Sequence, residues 1–404
     1  FFLESAIDET HSCNYLQATD MEMETVEGYK ATSWEAGYGD YIMKPDLATL
    51  RRLPWLEGTA LVLCDVLDHH THEEVPHSPR AVLRKQVRRL ADVGLKAFMA
   101  TELEFYLFDD SFQSAHRSGY RGLTTASHYN EDYHIFQTTK EEEVMRSIRI
   151  GLQGAGVPVE NSKGEACAGQ EEINVRYAEA LEMADRHVIV KNACKEIAWQ
   201  KGRSVTFMAK WDYDHAGNSS HIHQSLRSLD GGPVFHDPDS AHGMSEAMRQ
   251  YLAGLLGHAD EITYKRFQAG TFAPTKAVWS LDNRTAGYRV CAADTENVRI
   301  ECRVGGADLN PYLALASQIA AGLDGIENKA TLESEFVGDA YGGQGRYIPT
   351  TLRDATRALD ESALLRCAFG DDVVDHYVHA ARYEQFEYDR RVTDWEIFRG
   401  FERA

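Results

Sequence analysis

Along the chain, apolar residues recur first at every second position and then at every third or fourth, and the changes of period mark the elements. In LKAFMATELEFYLFD (95–109), Leu103, Phe105 and Leu107 alternate with Glu102, Glu104 and Tyr106, which predicts a strand with two carboxylates on one face. Three more segments use the same device. GQEEINVRY (169–177) puts Glu172, Asn174 and Arg176 on one face, SSHIHQSL (219–226) puts His221 and His223 on one side of Ile222, and VRIECRV (298–304) groups Arg299, Glu301 and Arg303. Helical spacing intervenes. Ser78 followed by Pro79 pairs an N-capping residue with a proline at the first helical position, after which Leu83, Val87 and Leu90 recur until Gly94. Residues 178–200 carry Leu181, Ala184, Val188, Ala193 and Ile197 at helix-like intervals. Segment 246–256 reads as a shorter amphipathic helix, 311–326 as an apolar, buried one, and 350–381 as helices over a core. Strands with polar inner faces interleaved with helices predict an α+β catalytic domain on a curved, mostly antiparallel sheet.

The clearest boundary lies between Asp65 and Pro79, where the run LVLCDVLD gives way to HHTHEEVPHSPR, which reads as an exposed connector. His69, His70, His72 and His77 within it offer a metal tract as the alternative to a solvated linker. A length of 404 residues allows two or three domains, and no internal repeat stands out.

Charge then removes whole classes of function. Lysine and arginine number 42 against 63 acids, a net charge of −21, which leaves no broad cationic face for a phosphate backbone and argues against nucleic acid as a partner. The longest apolar runs are a few residues, where a membrane-spanning helix needs about 20. Seven scattered cysteines with no C-x-x-C pair fit a reducing compartment, so a cytoplasmic location is expected. The chain opens at Phe1, so an N-terminal piece, with any targeting signal it held, is expected to be missing.

The chemistry rests on a set of residues. Glu102, Glu104, Glu165, Glu172, Glu301 and His221 lie on or beside strands with apolar reverse faces, so neighbouring strands would make their charges converge. Converging carboxylates repel unless cations compensate. Oxygen-rich ligands with one imidazole suit Mg²⁺ or Mn²⁺ better than Zn²⁺. Arg266, Arg284, Arg289, Arg299 and Arg303 fall in the same third of the chain, and guanidinium forks grip carboxylate and phosphate bidentately. Metals beside arginines describe a site for a nucleotide polyphosphate and an anionic substrate. No G-x-x-x-x-G-K-[ST] loop exists to hold phosphate in the P-loop way.

Eight segments, in order, match a known pattern: GDYIMKPDLATLRRLPW (39–55), TELEFYLFD (101–109), EACAGQEEIN (165–174), GNSSHIHQS (217–225), YKRFQAGTFAPT (264–275), NRTAGYR (283–289), RIECR (299–303) and NPYLALA (310–316). Through them the chain resembles the glutamine synthetase superfamily. The resemblance implies that Glu104, Glu165 and Glu172 hold a metal at the substrate carboxylate, and that Glu102, His221 and Glu301 hold one on the ATP phosphates. It assigns Arg266, Arg284, Arg303 and Gly217 to glutamate and its acyl phosphate, and Arg289 and Arg299 to phosphate. Glu160, His223 and Ser225 match nucleotide contacts. Also implied are a small N-terminal β-grasp-like domain (1–76), a catalytic domain (77–404), sites formed between neighbouring subunits, and a homo-oligomer, a dodecamer of two hexameric rings.

Two departures concern the amine. Where ammonia-using members carry a flap glutamate, this chain has Phe272, and YKATSWEAGYGDY stands in place of their D-G-S-S segment. A phenyl ring cannot take a proton or pair with ammonium, but it can line an organic pocket. The resemblance is therefore to the γ-glutamyl amide branch, which ligates glutamate to methylamine, isopropylamine, ethanolamine, polyamines or aniline, with Asp40 and Tyr41 as candidate amine-side residues. Glutamine synthesis from ammonia and a catalytically silent scaffold are the competing readings. Further departures are Ser219 in place of a glycine, which could narrow the glutamate pocket, and EIT running straight into YKR at 261–266, which is either a loop lost from the sequence or a true deletion. No adenylylation tyrosine motif is recognisable around 339–347.

Overall fold

A computed structural model describes residues 10–263 and 273–403. Two sheets organise the chain. The small one is antiparallel, in the order β1 (Thr10–Cys13), β2 (Asp40–Arg52), β3 (Ala60–Asp68). The large one contains β4 (Leu95–Phe108), β5 (Val159–Gly164), β6 (Gln170–Val175), β7 (Ala178–Glu179), β8 (Ser204–Thr206), β9 (Ser220–Ser228), β10 (Trp279–Leu281), β11 (Tyr288–Cys291) and β12 (Arg299–Cys302). Its order is β10-β11-β12-β9-β4-β6-β5, with β7 and β8 also pairing with β4. Every pairing is antiparallel except β10 with β11, so the expected α+β class and mostly antiparallel sheet are what the chain adopts.

The long strand β4 shows why. Ala97, Met99, Leu103, Phe105 and Leu107 on one face are at most 4% exposed and join the main core, into which the Pro79–Asp92, Ala180–Gln200, Glu246–Gly257 and Pro311–Glu327 helices also pack. Burying that face leaves Glu102 and Glu104 on the other. The small sheet is tied to the helices that pack on the main core by Arg80 of the Pro79–Asp92 helix, whose guanidinium reaches Asp46 of β2 (2.7 Å), Asp65 of β3 (2.5 Å) and Asp185 of the Ala180–Gln200 helix (2.9 Å). A buried cation with three carboxylate partners offsets its own desolvation, and removing one partner of such a network typically costs about 3–5 kcal/mol.

The structure corrects several expectations. β3 ends at Asp68, where the apolar run ends, but Val75, His77 and Ser78 are buried, so the connector is exposed only in part. His77 stacks on His376 of the Asp371–Asp389 helix at 4.5 Å, and burial pulls its pKa down to about 4, which keeps the ring neutral. Among the described residues His69, His70, His72 and His77 are not gathered into any cluster of three or more potential ligands. Ser78 occupies the N-cap position of the Pro79–Asp92 helix without a side-chain capping bond. The helix expected from residue 178 begins at Ala180, because Ala178 and Glu179 pair with β4. Arg176 lies past the end of β6 and is exposed. Helices continue beyond residue 381, through Asp371–Asp389 to Asp394–Gly400.

Candidate active site

Strand register brings the acidic residues together. Glu102 lies opposite His221 of β9 and Asn174 of β6, Glu104 opposite Glu172, Glu301 opposite His223, and Arg289 opposite Glu301. The result is two ligand groups side by side. Glu102, His221 and Glu301 each offer a ligand atom within 4.8 Å of the others, as do Glu104, Glu165 and Glu172. Glu165 comes from the turn joining β5 to β6.

The two groups differ in charge balance. Glu102 takes hydrogen bonds from His221 Nδ1 (2.8 Å) and His223 Nε2 (2.7 Å). Burial alone would raise its pKa, but the two imidazoles outweigh that and hold it well below the usual carboxylate range. Glu301 accepts from Arg303 Nη1 at 2.5 Å and from Arg289 Nη1 at 3.0 Å. Its burial is likewise overcome, by His221 and Arg303, and its pKa falls to about 2. In the second group burial and the charge of Glu165 push Glu104 up to about 8. Burial, with Glu102 and Glu165, pushes Glu172 to about 8 as well. Glu104 Oε2 accepts from the Ser219 amide at 2.7 Å, and Lys163 pairs with Glu165, yet these donors do not balance the three acids. An all-oxygen set of three carboxylates, two of them held protonated to about pH 8 by burial and by the charge of neighbouring acids, has the chemistry of a hard divalent cation's cage, so the residues present fit the metal ions that the resemblance implies.

Two cavities meet at this site. One, of about 820 Å³, is lined by Glu102, Glu104, Glu165, Glu172 and His221 together with Gly217, Arg284 and Arg303. The other, of about 530 Å³, is lined by Glu160, His223, Ser225 and Arg299, with Phe98 and Tyr177 on its walls. Glu102, Asn161 and Asn174 belong to both. Arg299 also points Nε at His223 Nδ1 (3.2 Å), while Arg289 braces Glu301 and Asp282. A Cβ on Gly217 would stand 2.7 Å from the Ala209 carbonyl, so that turn requires glycine. Ser219 needs no such freedom, since its φ is not positive and its backbone amide makes the contact to Glu104, so serine in place of glycine leaves that contact intact.

Not every candidate falls in these cavities. Asp40 and Tyr41 line a separate cavity of about 1090 Å³ beside the small sheet, together with His77 and His376, and not the carboxylate cavity of the same chain. Arg266 and Phe272 lie outside the described residues. Sequence reasoning missed Lys163, which sits opposite Glu172 and 4.8 Å from the Tyr133 ring, and Gln170, whose amide nitrogen reaches Gly217 O (3.0 Å) and Asn218 Oδ1 (3.1 Å). The alternation of N-S-K-G-E would have placed Lys163 on the acidic face; nothing local marks Gln170.

Residues 76–399 match the family described as glutamine synthetase, catalytic domain. The chain belongs to the glutamine synthetase family. Within it, the chain is 46% identical to gamma-glutamylethanolamide synthetase GlnA4 of Streptomyces coelicolor, over 100% of this chain and 88% of that protein. It is 35% identical to a glutamate–isopropylamine ligase of a Pseudomonas species, over 99% and 89% of the two chains. Among solved structures, apo GmaS without ligand superposes with a TM-score of 0.85 at 26% identity, over 99% of this chain and 91% of that one. This glutamine synthetase family member thus aligns almost end to end with relatives named for ethanolamide and isopropylamine ligation, and it shares the fold of GmaS. Among the described residues no helix is long and apolar enough to cross a membrane.

Proposed function

We propose that this member of the family is an ATP-dependent ligase that joins the γ-carboxylate of L-glutamate to a small organic amine. The observation that carries the reading is the end-to-end similarity to the ethanolamide synthetase, at 46% identity. Phe272 in place of the flap glutamate supports it.

In the reaction, a γ-carboxylate oxygen of glutamate attacks the γ-phosphorus of ATP, the bond to the β-phosphate oxygen breaks, and ADP leaves. The amine nitrogen then attacks the acyl carbon of γ-glutamyl phosphate, the bond to the phosphate oxygen breaks, and phosphate departs with the proton that the amine nitrogen gives up. Glu104, Glu165 and Glu172 would hold one divalent ion toward the substrate carboxylate, and Glu102, His221 and Glu301 another toward the phosphates. Mg²⁺ or Mn²⁺ bound there would neutralise charge on the transferring phosphoryl group. Gly217, Arg266, Arg284 and Arg303 orient glutamate and the acyl phosphate. Arg289 and Arg299 face phosphate, and Glu160, His223 and Ser225 hold the nucleotide in the adjoining cavity. Phe272 lines the amine pocket. The reading also includes a division near residues 76 and 77, a homo-oligomer with sites shared between subunits, a dodecamer of two hexameric rings, and a cytoplasmic setting.

The test is phosphate release from ATP with Mg²⁺ and glutamate across ammonia, methylamine, isopropylamine, ethanolamine, putrescine and aniline. Release with an organic amine and little with ammonia is expected. Ammonia as the best substrate would make the protein a glutamine synthetase in activity as well as family.

A further inference from the structure

β6 presents Glu172 to the active site and, one residue earlier, Glu171 to the reverse face of the sheet. There Glu171 meets Glu131, from the loop before the Ile135–Thr139 helix, and Glu141, which immediately precedes the Glu142–Gly154 helix. Each offers a carboxylate oxygen within 4.8 Å of the others. Their exposures are 1%, 0% and 4%. Three acids so deeply buried would ordinarily each be paired.

These face chiefly one another: Glu141 lies within hydrogen-bonding reach of both Glu131 and Glu171. Among the described residues both oxygens of Glu141, Oε2 of Glu131 and Oε1 of Glu171 accept no hydrogen bond from a donor outside the trio. Only Glu131 Oε1 is held, by the Gly169 amide (2.5 Å) and the Ser127 hydroxyl. Arg149, the cation that favours the charged form of Glu171, is engaged by Glu142 and by Ser162 Oγ at 2.9 Å. Four donorless carboxylate oxygens turned into one small volume lack a positive centre, and a hard divalent cation supplies one where an all-oxygen cage is already assembled.

We infer that Glu131, Glu141 and Glu171 form a structural divalent-cation site on the reverse face of the sheet, separate from the two ligand groups of the active site. Its ion would belong to the Mg²⁺, Ca²⁺ or Mn²⁺ class. The site ties three segments together. The Glu131 amide donates to the Glu165 carbonyl (3.3 Å), Gly169 donates to the Glu131 carboxylate, and Gly164 packs so tightly on Glu131 that a Cβ there would stand 2.5 Å from the Glu131 Cβ. Glu171 precedes Glu172 directly. An ion at the site therefore fixes the turn that carries Glu165 and the strand that carries Glu172, and Glu131, Glu141 and Glu171 are positioning residues for the active-site face. The inference holds whichever amine is the substrate.

Because the carboxylates are buried, the ion would be enclosed during folding and exchange slowly. The experiment is elemental analysis of the full-length protein after exhaustive EDTA dialysis and desalting, for wild type, Glu141→Gln, Glu171→Gln and, as a control in the active-site group, Glu104→Gln. One divalent ion per subunit is expected to remain in wild type and in the control and to be lost in the other two, with their melting temperatures lowered by several degrees. No retained ion in wild type, or equal retention in Glu141→Gln and Glu171→Gln, overturns the site and leaves a proton-sharing carboxyl cluster, for which each substitution should leave stability equal or higher. Should the variants fail to fold, wild type refolded from denaturant in metal-free buffer decides: native structure regained only with added Ca²⁺, Mg²⁺ or Mn²⁺, one ion retained, upholds the site, and equal recovery without them overturns it.

Discussion

The two ligand groups of the active site share one sheet face and almost one address, yet they are opposite in electrostatic condition. Glu102 and Glu301 are met by two imidazoles and two guanidiniums, and their carboxyls are held low. Glu104 and Glu172, a few ångströms along the strands, are met mainly by other acids and are held high. The difference teaches a division of labour. The first group is charged and ordered by protein partners before any ion arrives; the second becomes fully charged only when a cation enters.

The hardest way to break that comparison is to remove an acid from the second group. Glu104→Ala or Glu172→Ala should lower kcat by a thousandfold or more, roughly the scale lost with a principal electrostatic stabiliser, with the circular dichroism spectrum unchanged. Ordinary turnover in either variant would remove the metal assignment. In the first group the arginine side is tested by Arg303→Lys. Arg303 joins Glu301 Oε1 to the Arg284 carbonyl through separate nitrogens of its fork, a geometry that a single ammonium cannot reproduce. A fall of about 10–100-fold in kcat/KM for glutamate is expected. An unchanged value would detach Arg303 from substrate binding.

A third change lies outside both groups. Phe272→Glu should cut kcat/KM for the preferred organic amine by about tenfold, the scale of a lost apolar contact, and raise use of ammonia. An unaltered amine profile in the phosphate-release panel would take Phe272 out of the amine pocket.

The alternation of β4, β6, β9 and β12 was enough to identify which acids and histidines share faces, because period-2 patterning is local. That Glu102 faces His221 and Glu104 faces Glu172 was not readable, since it depends on β4 lying between β6 and β9, strands more than 60 and 110 residues away along the chain, measured between paired residues. Long-range partners also explain the errors. His77 looks like an exposed linker histidine until the Asp371–Asp389 helix, some 300 residues on, supplies His376 and Tyr377 to cover it. Glu171 looks like one more polar residue in G-Q-E-E-I-N, and only the packing of 131 and 141 beneath β6 shows that its face is closed. Lys163 was legible in principle, being two residues before Glu165, but it carries no motif of its own.

The mildest test of the comparison is a pH dependence. In metal-stripped protein Glu104 and Glu172 keep their protons up to about pH 8, whereas in the unfolded chain they release them near the ordinary carboxyl value of 4.5. A raised folded pKa means that the folded state binds more protons between those values, so the stability these two groups contribute is complete below about pH 4.5 and is lost as pH rises through about 8. A divalent ion must displace the same protons to bind, so it competes with them at pH 6 and much less at pH 8. The rise in melting temperature on adding Mg²⁺ should therefore be larger at pH 8 than at pH 6 by a few degrees. It should lose most of that pH dependence in Glu104→Gln, where one titrating group is gone, and keep it in a His223→Gln variant, which alters only the group that its protein partners already hold charged. A Mg²⁺ shift independent of pH in wild type would mean that the second group is charged without its ion, and the contrast between the two halves of the site would collapse.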